Sequence, residues 1–561
     1  MKYEVAQALE TKVKELYPDW KQVEVELDQT EEKFGDYSCN IAMKMAKSQG
    51  LNPRDIADKL AKAVNDAKLF FSAEVAGPGF INIAICDDAL LSYTNKSPNN
   101  PGVYSGQKFL VEYSDPNPFK PLHAGHLYTT LIGDAVARIV EYAGADVTRI
   151  NYGGDVGLHV AKSMWAILKN LGGENVEKLR TVSEDSRAVW LGERYVEGNN
   201  AYEEEGSKQE ITDLNKKIYE IHSKKDKTSD LAQIYWTCRS WSYDYFNSLY
   251  KELGVIDFDR YIPESEVTDL GLETVKEQLK QGVYEESDGA VVFRGEDDGL
   301  HTRVFINAEG LPTYEAKEVG LILTKWQDYQ YDKSIIITAN EQEQYMQVVL
   351  SSVGRFKVEP VERTNHLTHG VVKLAGGEKM SSRKGNILSA VDVIRSAEST
   401  SKKTFGNDNP GIAVGSIKYS FAKQRIGGDV IYDPIVSVNM HGDSGPYLQY
   451  ALVRAKSIIK KAGNTISQDL SSSKKLDNYE RSICRKMQYF DSIVDSSARE
   501  LAPNQICTYA FELAQVFNRF YENSPVLNNE RTDIRISIVK KYTSILEQCL
   551  QLIGLDIVEG M

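Results

Sequence analysis

The stretch KFLVEYSDPNPFKPLHAGHLYTTLIGDAVARIV (residues 108–140) decides the fold of this chain. Its first seven residues are rich in β-forming side chains, and a proline-containing loop follows them. Apolar residues then recur every four positions, as on one face of a helix: Leu127, Leu131, Ala135 and Ile139. A second strand-like run with a glycine turn, ADVTRINYGGDVG (145–157), comes next. Strand, helix and strand in this order predict the βαβ unit of a doubly wound, Rossmann-like parallel sheet.

Length and composition describe a multidomain globular protein. At roughly 100–200 residues per domain, the 561 residues correspond to about three to five domains. The net charge of −14 and the pI of about 5.3 argue against broad, non-specific binding of nucleic acid, although RNA can still bind a local basic face. No apolar run approaches the ~20 residues of a membrane span, and the N-terminal residues lack the apolar core of a secretory signal.

The six cysteines are far apart and form no C-x-x-C pair: Cys39, Cys86, Cys238, Cys484, Cys507 and Cys549. This spacing argues against a disulfide framework and against a zinc ribbon. It is typical of proteins of the reducing cytoplasm, which is the location we expect for this chain.

The two ends of the chain predict different kinds of domain. Residues 1–105 combine amphipathic helices around a polar loop, EKFGDYSCN (32–40), with two strand-like runs separated by a Gly-Pro-Gly turn at 77–79. This pattern predicts an α+β domain. Beyond the central domain the pattern is nearly all helical, which predicts a helical connector at 396–440 and an all-α domain at 441–561.

The Rossmann-like domain is expected at residues 106–395. A highly charged stretch within it, about 172–232, is interpreted as a solvated helical insertion rather than core. Three further β-rich runs are expected to continue the parallel sheet: GAVVFRGE (289–296), TRVFINAEGLPTY (302–314) and KSIIITAN (333–340).

Two histidines at the start of the predicted helix form the first candidate site. His123 and His126 are three positions apart, so they share one face and lie beside N–H groups that have no partner within the helix. Such a helix end favours anions, and two imidazoles that donate hydrogen bonds would extend the site. Gly125 between them leaves room for a flat group to lie against the backbone. The alternative is a pair of surface histidines in a helix cap, and the motif alone does not decide between the two.

A glycine-rich cationic loop, KLAGGEKMSSRKGN (373–386), forms the second candidate site. A flexible loop with cations such as Lys379 and Arg383 can close over a polyphosphate and stabilise the charge on departing pyrophosphate. Taken alone, the loop is more simply a solvated basic segment. Each motif, however, follows a strand of the same predicted sheet, where doubly wound folds bind ligands, so the pair indicates a nucleotide site.

These motifs resemble a known family. H-x-G-H followed about 250 residues later by K-M-S-S is similar to the HIGH-type and KMSKS-type pair of class I aminoacyl-tRNA synthetases. FGDYSCNIAMKMAK (34–47) and EVAGPGFINIAI (74–85) resemble the extra N-terminal domain of the arginyl-tRNA synthetases. The resemblance extends over almost the whole chain, through VEYSDPNPFKPLHAGHL (111–127), GVVKLAGGEKMSSRKGN (370–386), GPYLQYALVRAKSI (445–458), LAQVFNRFYENSPVL (513–527) and LIGLDIVEGM (552–561).

The resemblance implies an activity and an ATP site. The chain is expected to activate L-arginine with Mg-ATP and to transfer the arginine to the terminal adenosine of tRNA(Arg). His123 and His126 would hold the ATP phosphates and Gly125 would lie under the adenine. Lys379 would stabilise the pyrophosphate within a loop that also contributes Met380, Ser381 and Ser382. Because Ser382 stands where the family usually has lysine, Lys120 is expected to supply the missing cation.

The arginine pocket has its own chemical requirements. A guanidinium is planar with five donors, so a selective site needs carboxylates in bidentate geometry and an aromatic wall. Taken singly, each acidic residue is more simply a solvated surface charge. The resemblance implies that the following residues bind arginine: Asn117, Glu264, Tyr314, Glu318 and Glu341, with Glu112 on the side of the α-amino group.

The chain also departs from the family pattern at five positions. Tyr128 stands where arginine is usual, Val156 where tryptophan is usual, and His159 where glutamine is usual. Glu318 replaces an aspartate, and Glu341 replaces a glutamine. The two glutamates still suit a cationic substrate.

The all-α region resembles the anticodon-binding domain of the family, and the N-terminal domain would contact the tRNA elbow. Basic and aromatic residues crowd one predicted helix, a combination that suits single-stranded RNA loops: Arg454, Lys456, Lys460, Lys461 and Tyr450. The alternative is a solvated helix face.

We therefore expect a monomeric, cytoplasmic arginine–tRNA ligase with no structural metal, whose partners are tRNA(Arg), ATP and L-arginine and which does not contact membranes. Two alternatives remain at this point. The first is another nucleotidyl transferase of the same superfamily, and the second is a paralogue that binds tRNA without charging it.

Overall fold

The computed structural model describes residues 1–20, 23–98, 100, 102–375, 388–406, 409–463 and 475–560. No helix in these ranges is both long and apolar enough to cross a membrane. The N-terminal region contains α1 (Lys2–Leu16), β1 (Leu27–Gln29), β2 (Tyr37–Cys39), α2 (Ile41–Gln49), α3 (Pro53–Asp66), β3 (Phe71–Ala76), β4 (Phe80–Ile85) and α4 (Asp87–Thr94).

The N-terminal strands form an antiparallel sheet in the order β1-β2-β4-β3. The predicted strand, turn and strand around residues 77–79 are confirmed as the hairpin of β3 and β4. The prediction of a polar loop at 32–40 is partly wrong, because β2 lies within it. Tyr37 and Cys39 are buried on one face while Ser38 between them is not, which is the alternation of a half-buried strand.

The central region follows in chain order. It contains β5 (Lys108–Glu112), α5 (Ala124–Tyr142), β6 (Asp146–Gly153), α6 (Leu158–Leu171), α7 (Val176–Leu179), α8 (Arg187–Ala201), α9 (Glu205–Ser223), α10 (Asp230–Glu252), β7 (Arg260–Pro263), α11 (Glu264–Lys280), β8 (Glu285–Ser287), β9 (Ala290–Phe293), β10 (Arg303–Ile306), α12 (Tyr314–Tyr329), β11 (Lys333–Ala339), α13 (Glu343–Gly354), α14 (Val358–Glu362), β12 (Thr364–His369) and β13 (Val372–Leu374).

A five-stranded parallel sheet organises this region, in the order β12-β11-β5-β6-β7. The predicted βαβ unit is confirmed as β5, α5 and β6. The predicted strand at 333–340 is confirmed as β11, whose three isoleucines (335–337) are fully buried, as expected for a strand covered on both faces. Because all five strands run in the same direction, their carboxyl ends meet at one edge, and loops from this edge carry the candidate site.

The other two predicted strands do not continue this sheet. Residues 289–296 and 302–314 contribute β9 and β10 to a separate antiparallel sheet in the order β10-β9-β8. The reason is the length of the connection. Only Asp288 and Gly289 separate β8 from β9, whereas two neighbouring parallel strands need a crossover of a dozen residues or more.

The charged stretch at about 172–232 is helical, as predicted, and contributes α7, α8, α9 and the start of α10. The prediction that it is solvated rather than core is wrong for one face of each helix. Apolar residues of α9 are buried at helical spacing: Ile211, Leu214, Ile218 and Ile221. With residues of α6 and α10 they form a separate apolar core, so the high charge of the stretch describes only its outer face.

Within 388–406, 409–463 and 475–560, the C-terminal region is helical apart from one short strand, β14, which pairs in parallel with β13. Its described elements are α15 (Ala390–Phe405), α16 (Pro410–Ala422), β14 (Val430–Tyr432), α17 (Pro434–Ser437), α18 (Gly445–Ala462), α19 (Asn478–Met487), α20 (Phe490–Glu500), α21 (Pro503–Asn523) and α22 (Thr532–Leu552). Apolar residues of these helices form one continuous core with the N-terminal region and with α5.

Candidate active site

A cavity of about 530 Å³ opens at the carboxyl edge of the parallel sheet. Every predicted ATP-site and arginine-site residue that the structure describes lines it: Glu112, Asn117, Lys120, His123, Gly125, His126, Glu264, Tyr314, Glu318 and Glu341. The predicted residues Lys379, Met380, Ser381 and Ser382 lie outside the described residues. Leu388, the first described residue after this loop, contacts the start of α5: its carbonyl oxygen accepts a hydrogen bond from the N–H of Ala124 at 2.8 Å.

The loop between β5 and α5 carries a strained backbone. Three residues other than glycine have left-handed φ angles: Ser114 (75°), Asp115 (47°) and Phe119 (66°). Each such residue costs about 1–2 kcal/mol, so the surroundings must hold the loop in place. Asp115 Oδ1 accepts from the N–H of Tyr152 at 2.8 Å, and Ser242 Oγ accepts from the N–H of Phe119 at 2.9 Å. The loop is thus a fixed platform rather than a connector.

This loop presents Asn117 and Lys120 to the cavity. Asn117 Oδ1 accepts from the N–H of Gly154 at 2.8 Å, and a Cβ on Gly154 would lie only 2.9 Å from Oε1 of Glu264. A larger residue at position 154 would therefore have to displace Asn117 or Glu264. Lys120 Nζ lies 5.6 Å from the centre of the Tyr195 ring, and burial lowers the pKa of Lys120 although Glu341 opposes the shift. A half-buried cation of this kind is suited to pairing with an anion.

His123 and His126 stack with 3.7 Å between ring centres. His123 Nδ1 accepts from the N–H groups of Gly125 and His126, at 3.1 and 3.3 Å, and His126 Nδ1 accepts from the N–H of His123 at 3.3 Å. Burial lowers the pKa of both rings, that of His123 to about 4, so both are neutral at neutral pH. Since each Nδ1 accepts, each Nε2 carries the hydrogen. The pair therefore supplies two neutral hydrogen-bond donors.

The helix end itself differs from the prediction. The first N–H groups of α5 were expected to be free for an anion, but they already have acceptors. Ala124 donates to Leu388, Gly125 and His126 donate to the His123 ring, and Leu127 donates to the carbonyl of His123. The reason is that His123 folds back as the N-cap of the helix. A Cβ on Gly125 would lie 2.9 Å from the His123 ring, so this glycine makes the folded position possible.

Glu318 is a buried carboxylate without a cation. Its side chain projects from α12, the residue is 4% exposed, and Oε1 has no hydrogen-bond partner among the residues the structure describes. The hydroxyl of Tyr345 lies 3.4 Å from the other oxygen. Burial, and next the charge of Glu112, raise the pKa of Glu318 to about 8. This carboxyl is suited to a ligand that brings a positive charge with N–H donors.

Two other acids that line the cavity, Glu264 and Glu112, already have cations. Lys317 Nζ lies 2.7 Å from Glu264 and Lys325 Nζ lies 2.6 Å from Glu112, and all four side chains are buried. The sequence analysis did not identify Lys317 or Lys325, both on α12. Their spacing of eight places them on the same helix face as Tyr314 and Glu318, and this periodicity was the one available signal. Glu341, by contrast, is exposed at the mouth of the cavity.

The three other residues that depart from the family pattern lie in three different environments. Tyr128 is fully buried between the rings of His369 and Phe421, and it does not line the cavity. Val156 belongs to the apolar core of the helical insertion. His159 contacts the carbonyl oxygen of Gly154 at 2.8 Å and the hydroxyl of Tyr314 at 3.3 Å.

The predicted tRNA-binding residues lie on α18, and none of them lines the cavity. Arg454 covers the ring of Tyr521 at 4.2 Å, and Lys456 forms a 2.6 Å ion pair with Glu547. Tyr450 is 41% exposed, and Lys460 and Lys461 are exposed in the last turn of the helix. The last three are therefore the most accessible of the set.

No group of three or more His, Cys, Asp or Glu side chains that could hold a metal ion occurs in the part of the chain that the structure describes. All six cysteines are free thiols, and five of them are buried.

Comparison with known proteins finds relatives along the whole chain. The family model described as tRNA synthetases class I (R), catalytic domain, matches residues 88–431. The Arginyl tRNA synthetase N terminal domain model matches residues 2–85, and the DALR anticodon binding domain model matches residues 448–561.

Two curated relatives that align over at least nine tenths of this chain are both named Arginine–tRNA ligase. The Arginine–tRNA ligase of Flavobacterium psychrophilum is 28% identical over 547 residues, covering 91% of this chain and 90% of that protein. The Arginine–tRNA ligase of Fusobacterium nucleatum subsp. nucleatum is 28% identical over 584 aligned residues, covering 100% and 99%.

Two solved structures share the fold over the whole chain. The arginyl-tRNA synthetase of Thermus thermophilus has a TM-score of 0.81 at 22% identity, with 100% of both chains covered. That of Plasmodium falciparum has a TM-score of 0.79 at 20% identity, with 100% of this chain and 99% of that chain covered.

Proposed function

This chain belongs to the class I arginyl-tRNA synthetases, and from that premise we propose which of its residues bind the substrates and carry the reaction. It activates L-arginine with ATP to arginyl-adenylate and pyrophosphate, and it then transfers the arginine to tRNA(Arg). Another nucleotidyl transferase would not account for the matches to the two arginyl-specific domain models. A tRNA-binding paralogue would not need a cavity equipped for a cationic substrate.

We propose that arginine binds with its guanidinium against Glu318. The observation that carries this assignment is the buried carboxyl oxygen of Glu318 that lacks a hydrogen-bond partner among the described residues, on the wall of a cavity in which Glu112 and Glu264 are each paired with a buried lysine. A guanidinium would supply both the charge and the donors. Tyr314 forms the aromatic wall, and Glu264, held by Lys317, faces it from the first turn of α11.

The rest of the arginine molecule extends towards the sheet. Glu112, at the carboxyl end of β5, receives the α-amino group, and Asn117 lies beside it on the strained loop. Glu341 at the mouth of the cavity adds a carboxylate that attracts the cationic substrate.

ATP binds at the opposite end of the cavity. The Nε2–H groups of His123 and His126 donate to phosphate oxygens, Gly125 lies under the adenine, and Lys120 neutralises phosphate charge. Lys379 holds the departing pyrophosphate, in a loop with Met380, Ser381 and Ser382. Mg²⁺ arrives with ATP as part of the substrate. Catalysis rests on positioning and on the neutralisation of phosphate charge rather than on a covalent intermediate.

The ends of the chain bind tRNA. Arg454, Lys456, Lys460, Lys461 and Tyr450 on α18 face the anticodon arm within a domain at 441–561, and the domain at 1–105 contacts the tRNA elbow. The catalytic domain spans 106–395, with its insertion at about 172–232, and 396–440 connects it to the C-terminal domain. The enzyme acts as a monomer in the cytoplasm, a location that suits its six free thiols.

Aminoacylation kinetics test these assignments. His126→Ala and Lys379→Ala are expected to lower kcat by about 10²-fold or more with little change in the KM for arginine, because they remove contacts to the reacting phosphates. Glu318→Ala is expected to raise the KM for arginine roughly 10- to 100-fold, the loss of a charged hydrogen bond. An unchanged kcat in both ATP-site variants refutes the ATP assignment, and an unchanged KM in Glu318→Ala refutes the arginine assignment.

A further inference from the structure

His159 joins the carboxyl edge of the sheet to the aromatic wall of the cavity. It lies in the first turn of α6, with Nε2 at 2.8 Å from the carbonyl oxygen of Gly154 and Nδ1 at 3.3 Å from the hydroxyl of Tyr314. A carbonyl oxygen only accepts hydrogen bonds, so Nε2 donates and carries a hydrogen. The contact with Gly154 therefore decides the tautomer of the ring.

The role of the second nitrogen follows from the charge of the ring. Burial lowers the pKa of His159, Glu264 opposes this shift, and the cations Lys317 and Lys120 add to it. The ring is therefore neutral at neutral pH and has one hydrogen, on Nε2. Nδ1 is then an acceptor, and the hydroxyl of Tyr314 donates to it.

This arrangement fixes what Tyr314 offers to a ligand. A tyrosine hydroxyl has one hydrogen, and in this site that hydrogen points to His159, so only lone pairs remain for the cavity. A guanidinium carries five donors and no acceptor. We propose that His159 is a positioning residue that holds the Tyr314 hydroxyl as a hydrogen-bond acceptor for the guanidinium of arginine, and so selects arginine against ureido analogues. The proposal rests on the placement of arginine beside Tyr314 and Glu318 argued above.

The chemistry of a ureido analogue shows why this matters. Citrulline has nearly the shape of arginine, but a carbonyl oxygen replaces one nitrogen and needs a donor. With His159 present, the Tyr314 hydroxyl has no hydrogen to give to that oxygen. Without the acceptor at position 159, the Tyr314 hydroxyl can turn and donate to that oxygen. The loss of His159 should therefore weaken arginine binding and strengthen citrulline binding.

Two substitutions at position 159 test the proposal by aminoacylation kinetics with citrulline as inhibitor. His159→Leu removes both hydrogen bonds, and we expect the KM for arginine to rise about tenfold, the equivalent of one hydrogen bond, while citrulline inhibits more strongly. The KM for ATP should not change. His159→Gln offers an N–H to Gly154 and a carbonyl oxygen to Tyr314, so it should restore most of the arginine affinity and the selectivity against citrulline.

A double-mutant cycle with Tyr314→Phe separates this role from a merely structural one. The phenylalanine has no hydroxyl to orient, so adding His159→Leu to Tyr314→Phe should not raise the KM for arginine further. Additive effects overturn the proposal. The proposal is also overturned if His159→Gln has the Tm of the wild type but a KM for arginine that is raised tenfold or more. This second test remains available if His159→Leu does not fold. If Tyr314→Phe alone leaves the KM unchanged, the arginine placement itself fails.

Discussion

Lys317 Nζ lies 2.7 Å from a carboxylate oxygen of Glu264; both side chains are buried, and Glu264 lines the active-site cavity. Replacing Lys317 with methionine leaves Glu264 as an unpaired buried charge, which costs on the order of 3–5 kcal/mol of folding free energy. A bound guanidinium restores a positive charge nearby. Thermal melting should therefore show a lower Tm for Lys317→Met and a larger increase on adding arginine than the wild type shows.

An exposed ion pair of equal length provides the control. Lys62 lies 2.7 Å from Asp66 on α3, and both side chains are more than half exposed. Lys62→Met should lower the Tm far less than Lys317→Met does and should not change the response to arginine, because solvent screens an exposed pair. If the two methionine variants behave alike, the buried pair has no special relation to the cavity.

The pKa of Glu318 makes arginine binding depend on pH. Burial, and next Glu112, raise this pKa to about 8, so the folded protein without ligand holds a proton on Glu318 that the unfolded chain releases at lower pH. The proton on Glu318 therefore stabilises the folded state fully below the pKa of an unfolded glutamate, and this stabilisation is lost as pH rises from there through about 8. Arginine prefers the carboxylate, so its affinity should increase between pH 6 and 8, by up to about tenfold per pH unit.

Calorimetry in buffers of different ionisation enthalpy measures both the affinity and the proton released on binding. Glu318→Gln cannot ionise, so in this variant the affinity should be low and nearly constant over the same pH range. A wild-type affinity that stays constant from pH 6 to 8 contradicts the assignment of Glu318 as the titrating group.

The elements that depend on a periodic pattern, and the motifs whose residues are neighbours in sequence, could mostly be predicted from the sequence. The βαβ unit followed from the spacing of Leu127, Leu131 and the apolar residues after them, and HAGH was found because its residues are neighbours in sequence. The sheet partners of residues 289–314 were wrong, because strand propensity is local whereas the choice of partner depends on the connection of Asp288 and Gly289 between β8 and β9.

Contacts between residues that are distant in sequence could not be predicted either, because sequence patterns are local. Lys325 is 213 positions from Glu112, and no local pattern indicates that the two side chains meet. His159 was noticed as a departure from the family pattern, but its two hydrogen bonds depend on the folded positions of Gly154 and Tyr314. The N-cap of His123 depends on side-chain direction, which the sequence does not specify.

The exposed lysines at the end of α18 predict a salt-dependent contact with tRNA. Neither Lys460 nor Lys461 forms an ion pair with another residue in the described ranges, so both are available to phosphates. The double variant Lys460→Ala/Lys461→Ala should bind tRNA more weakly, and the slope of log affinity against log salt concentration should fall by about 2. The KM for arginine should not change. An unchanged salt slope places the phosphate contacts elsewhere.

Glu480 predicts how the C-terminal helices respond to acid. This fully buried carboxylate on α19 accepts from the guanidinium groups of Arg531 and Arg535, which join α19 to α22. Burial alone would raise the pKa of Glu480, but the hydrogen bonds from the two arginines lower it to about 2. The stabilisation is therefore present above the pKa of an unfolded glutamate and is lost as pH falls towards about 2.

Glu480→Gln removes this charge, and we expect it to lower the free energy of unfolding by about 3 kcal/mol at pH 7. The difference from the wild type should narrow below about pH 4, where the unfolded glutamate also binds a proton. Urea unfolding monitored by circular dichroism at pH 7 and pH 3 measures both values. Glu547→Gln, which removes the partner of the more exposed Lys456, should cost less than about 1 kcal/mol at either pH. Equal losses in the two variants would show that burial between the arginines adds nothing.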